Sequence, residues 1–127
     1  NTSSGTIRWG NAGGLNTLPV GRTITVGSGG FDSGSLIITG FTQLDTAPIV
    51  LQLGIGALFQ LRPGCTFHAP LDVAAGDIYL AGSTFNQVVR FEKTGTGVNS
   101  SAGGNTFQRA VELWNSSTGH IFMAGSF

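Results

Sequence analysis

Asp72, Arg90 and Glu112 are the residues of this chain whose types and spacing most resemble a reaction centre. Each stands between the two apolar residues of an alternating pair, Leu71/Val73, Val89/Phe91 and Val111/Leu113. If these pairs lie on successive parallel strands, Asp72 and Glu112 are two strand steps apart, about 9.6 Å. That is the wide edge of the spacing at which two carboxyl groups flank a sugar in an inverting glycosidase, and Arg90 would clamp the substrate between them. The alternation of sign equally suits a ladder of surface charges in which no like charges face across neighbouring strands. The ladder is the simpler expectation.

Other chemistry-bearing residues lack the company they would need. Asp77 and His120 open equivalent segments, but an atypical stretch separates them, and each follows a glycine as the end of a turn would. His68 beside Phe67 reads as an exposed corner residue, and two histidines without a ligand set make no metal site. Lone Cys65 excludes an intrachain disulfide and a cysteine metal cage. It stands where Ser83, Asn105 and Ser126 stand in other repeats, so a small turn residue is expected there. Gly27-Ser28-Gly29-Gly30 lacks the lysine and helix of a phosphate loop. Thr23-Ile24-Thr25 resembles a fragment of an ice-binding threonine array, but Gln52, Asp72, Arg90 and Glu112 are assigned to the matching position elsewhere, which breaks any such grid. Asn99-Ser100-Ser101 and Asn115-Ser116-Ser117 match the N-glycosylation pattern, relevant only in a eukaryotic secretory host. No cofactor is implied.

The elements that must position these residues follow from composition and repetition. The 127 residues include 21 Gly and 14 Thr, six basic and six acidic side chains, and a single lysine. Without a basic stripe there is nothing to neutralise phosphates, which argues against nucleic acid and against polybasic membrane docking. Apolar residues are 40% of the chain, enough for the core of one domain, yet no apolar run approaches a bilayer span. Small polar residues disfavour helices and suit tight turns and stacked strands. The opening Asn1-Thr2-Ser3-Ser4 has neither the charge nor the apolar stretch of a secretion signal, which fits a removed leader or a segment cut from something longer.

A short phrase recurs: Gly64-Cys65-Thr66-Phe67, Gly82-Ser83-Thr84-Phe85, Gly104-Asn105-Thr106-Phe107 and a terminal Gly125-Ser126-Phe127. A period near 20 with a fixed aromatic is the mark of a solenoid, whose coils cannot bury their apolar faces alone. After each phrase comes one alternating pair, the three above together with Ile24/Val26 and Leu51/Leu53. A second pair precedes the next glycine: Ile7/Trp9, Leu36/Ile38, Phe59/Leu61, Ile78/Leu80 and Ile121/Met123. The expectation is all-β: a parallel β-solenoid (β-helix) of about five coils spanning 1–127 as one segment with open ends. Its coil corners fall near Gly40, Gly64, Gly82, Gly104 and Gly125, and Phe41, Phe67, Phe85 and Phe107 form an internal aromatic stack. Residues 94–102 lack alternation and read as a polar loop. Tyr79, Phe122 and Ile37 are expected to face outward together, either as a contact surface for sugar rings or another rod, or beneath a covering loop.

The ordered phrases Gly21-Arg22-Thr23-Ile24, Phe41-Thr42-Gln43, Thr84-Phe85-Asn86, Glu92-Lys93-Thr94-Gly95, Gly103-Gly104-Asn105-Thr106-Phe107 and Asn115-Ser116-Ser117-Thr118-Gly119 resemble the repeat units of very long surface proteins of Bacteroidota. Phe67-His68-Ala69 and Phe107-Gln108-Arg109 depart from the commoner Phe-Asn-Gly phrase at corners. The resemblance implies an extracellular, adhesin-like or filamentous role at the cell surface, without catalysis. The partners expected are further copies or adjacent repeat units at the open ends, with surface glycans as a further candidate. A carbohydrate-binding surface is the alternative, and a β-helix glycan lyase or hydrolase using Asp72 and Glu112 is less favoured.

Overall fold

An alternating segment of four to six residues presents one apolar side and needs a neighbour to cover it. Here the neighbour is the same segment one turn later. The computed structural model describes residues 4–11, 16–27 and 29–121, and among them it has strands and no helix. β1 (Thr6–Trp9), β4 (Ser33–Ile38), β7 (Gly56–Leu61) and β10 (Asp77–Leu80) form a parallel front sheet. The Thr-Phe phrases form a corner sheet of β2 (Asn16–Leu18), β5 (Phe41–Gln43), β8 (Thr66–Phe67), β11 (Thr84–Phe85) and β13 (Thr106–Phe107). β3 (Thr25–Val26), β6 (Ile49–Gln52), β9 (Leu71–Ala75), β12 (Val89–Lys93) and β14 (Val111–Asn115) form the back sheet. The chain visits front, corner and back in rotation, so the fold is a three-faced parallel β-solenoid. Among the described residues it has about four turns, close to the five expected, with four strands in the front sheet and residues 94–102 passing without a regular strand.

Inward positions form ladders along the axis. Phe67, Phe85 and Phe107 occupy consecutive rungs, with ring centroids 5.5 and 4.9 Å apart and planes inclined by only 6°. Phe91 meets Phe85 edge-on at 5.8 Å. Fully burying a phenylalanine contributes on the order of 1.5–3 kcal/mol, so this column is a principal source of stability. Beside it runs an outward column of Thr17, Thr42, Thr66, Thr84 and Thr106. At the corners, Gly40, Gly64, Gly82 and Gly104 take φ of 54°, 87°, 55° and 70°, a region that side chains disfavour.

Two registers differ from the expectation by two residues. Gln43, not Phe41, stands opposite Phe67, and Phe41 approaches Phe67 from the neighbouring rung at 5.9 Å with a tilt of 44°. Ile49 and Leu51, not Leu51 and Leu53, pair with Leu71 and Val73, so Val50 rather than Gln52 matches Thr25 and Asp72. A slip of two keeps every side chain on its own face, and hydrophobic alternation cannot detect it. The expected corner at Gly125, the pairing of Met123 and the terminal Gly125-Ser126-Phe127 phrase lie outside the described residues, as does Ser28.

Candidate functional site

The most tightly assembled polar group centres on two residues that look unrelated in sequence. Lys93 lies two positions after inward-facing Phe91 and keeps its parity, so its side chain enters the solenoid and is 1% exposed. The ammonium donates to the Asp77 carboxylate at 2.7 Å, to the Gly97 carbonyl at 2.5 Å and to the Gly76 carbonyl at 3.3 Å. Asp77 in turn accepts from the backbone N–H of Ile78 at 2.9 Å, and from the backbone N–H and side-chain amide of Asn99 at 2.9 and 2.7 Å. Burial pushes the Asp77 carboxyl up, but the bonds from Lys93, Asn99 and Ile78 together outweigh it and hold the group below its ordinary range.

This cluster corrects the expectation for Asp77, which is a buried ion-pair partner and not a simple turn end. It also accounts for the front sheet's edge. Ile78 N–H is satisfied by its own residue's neighbour Asp77, Leu80 N–H donates to the Ser101 hydroxyl at 3.1 Å, and Ala102 N–H donates to the Leu80 carbonyl. Side chains and loop backbone thus replace a further strand beside β10. The ammonium's three donors and the carboxylate's acceptor positions are taken up within the fold, which makes this group a structural clamp. Sequence reasoning missed Lys93, although its inward parity was a usable signal.

On the back sheet the register places Asp72, Arg90 and Glu112 side by side. Arg90 bonds Asp72 at 3.1 Å, and its second ion pair is with Glu92 on its own strand. The guanidinium also lies 4.7 Å from the centre of the Trp114 ring, and Ser116 donates to Glu92 at 2.5 Å. Glu112 is exposed, and among the described residues it takes no part in an ion pair. Arg90 therefore stands between Asp72 and Glu112 in the register, and its ion pairs are with Asp72 and Glu92.

The outward face of the front sheet differs from the expected open aromatic row. Ile37 is buried, lying between Arg8 and Gln60 in register. Tyr79 is half-buried, with the Arg62 guanidinium 4.6 Å above its ring. Phe122 lies outside the described residues. Cys65 is buried and its thiol donates to the Arg62 and Ile38 carbonyls at 3.3 and 3.5 Å; burial pushes that thiol up, which makes it a poor nucleophile. His68 is an exposed corner residue with its Nδ1 2.9 Å from the Asn86 amide. Among the described residues no group of three or more His, Cys, Asp or Glu converges, and no helix is long and apolar enough to cross a membrane.

The two terminal turns carry the remaining feature. Inward residues of inner turns are sealed, Leu36 and Phe91 being 1% exposed. Their ladder neighbours Ile7 and Leu113 are 40% and 43% exposed, and among the described residues each has a paired strand on one side only. The fold and these edges define the chain's class, a three-faced parallel β-solenoid with apolar rungs uncovered at both described ends. Comparison with protein-family models, with curated proteins and with solved structures returns no match.

Proposed function

We propose that the chain is a structural module of an extracellular bacterial surface fibre or giant adhesin, stacking end to end with further solenoid turns and performing no catalysis. The observation that carries this reading is the exposure of Ile7 and Leu113 at positions buried everywhere deeper in the ladder. Each is an apolar rung of a parallel sheet whose edge backbone groups can pair with another strand in the same register. At the far end the pairing edges are β13 and β14, since β10 is already closed by the Asp77 and Ser101 side chains. The resemblance to Bacteroidota surface repeats supports the extracellular setting and a stacking partner that is solenoid of like sequence.

Negative-stain microscopy and sedimentation of the purified chain at increasing concentration test the stacking. Rods that lengthen with concentration are the expected outcome. Compact monomers at every concentration would overturn self-association.

A further inference from the structure

A groove of about 360 Å³ lies on the outer face of the front sheet, lined by Arg8, Asn11, Ile37, Thr39, Arg62 and Pro63. Its floor is the second turn, where Ile37 and Thr39 are both buried. Arg8 comes from the first turn, in register with Ile37, and Arg62 from the third, its N–H bonded to the Ile38 carbonyl. The two arginines thus rise on either side of the floor, two strand steps or about 9.6 Å apart across the sheet, with Arg62 two residues further along than Gln60, the residue in register with Ile37 and Arg8.

Arg90 and Lys93 are consumed by carboxylates of the fold, whereas Arg8 and Arg62 belong to no ion pair among the described residues. Among the described residues no acidic side chain lines the groove. Arg62 is held in place by its guanidinium lying over the Tyr79 ring and by one bond to the Gln60 side-chain amide oxygen at 2.5 Å, which leaves its other donors free of that contact. A pre-positioned guanidinium is a better anion receptor than a mobile one, because less side-chain entropy is lost on binding. Around the two cations are an amide, a hydroxyl and two aliphatic surfaces, the combination that suits a ring bearing hydroxyls on its rim and C–H groups on its face.

We propose that this groove binds a carboxylate-bearing saccharide unit of the uronate class. Arg8 and Arg62 grip the carboxylate, Asn11 and Thr39 meet hydroxyls, and Ile37 and Pro63 pack against the ring. Binding needs only the folded solenoid and no end-to-end contact.

Calorimetric titration of the purified chain with a galacturonate trisaccharide, the neutral galactose trisaccharide and inorganic phosphate tests the site. Saturable binding of the acidic sugar is expected, weakened by added salt, with the neutral sugar and phosphate each at least about tenfold weaker. Arg8→Gln and Arg62→Gln each reduce affinity by about tenfold or more, while Arg109→Gln at an exposed corner leaves it unchanged. Arg8 is exposed on the first strand, so Arg8→Gln reads the site even if Arg62→Gln perturbs the packing over Tyr79. No binding, equal binding of the neutral sugar or of phosphate, or full affinity in both arginine variants would overturn the assignment.

Discussion

Lys93 is the chain's one lysine and also one of its most deeply buried large side chains, a position lysine almost never occupies unless paired. Removing one partner of a buried pair leaves the other charge without compensation, so Lys93→Met is expected to cost about 3–5 kcal/mol in urea unfolding. Asp77 adds a pH dependence. Its folded carboxyl titrates below the unfolded value of about 3.9, so the unfolded chain binds the proton first as acid is added. The stability contributed by Asp77 is full above about pH 4 and is lost as pH falls through the folded value. Denaturation midpoints measured from pH 7 to pH 2.5 should show an acid limb that is shallower in Asp77→Leu. Phe85 is the apolar counterpart, buried between two stacked rings and one edge-on ring, and Phe85→Ala should cost about 3–5 kcal/mol by the same measurement.

Individual elements are held by register and by close backbone approach. Alternation in the sequence identifies which residues of β6 point inward, but Ile49, Leu51 and Leu53 are all apolar and two residues apart, so two registers bury equal numbers of them. The choice is made in three dimensions by the corner before β6. There Gln43 takes the rung opposite Phe67 and donates to the Ala47 carbonyl at 2.6 Å, which ties the longer turn to the strand. Glycine positions show the same division between composition and contact. A methyl group on Gly76 would land on the Ile55 carbonyl oxygen, far inside van der Waals contact, whereas one on Gly27 would meet nothing within 4 Å. Gly76→Ala should lower the melting temperature by several degrees or abolish folding, and Gly27→Ala should leave it nearly unchanged, in parallel thermal melts followed by circular dichroism.

At the scale of the whole molecule, the proposed growth by stacking would depend on the uncovered apolar rungs. Leu113→Lys places a charge on the exposed rung of β14 and should abolish concentration-dependent association in sedimentation, with the melting temperature of the monomer little altered. The same change at an inner rung would unfold the chain, because there each residue is covered from both sides.

The recurrent Gly-x-Thr-Phe phrase and the alternating pairs already determined an all-β solenoid, its corners at Gly40, Gly64, Gly82 and Gly104, and the Phe67, Phe85 and Phe107 column, since these follow from periodicity within one strand or one turn. Tertiary structure alone decided the Asp77–Lys93 clamp, the burial of Ile37 and the Arg8–Arg62 groove. Each joins residues from different turns, and their proximity depends on loop path and axial register, which a pattern of period two leaves open.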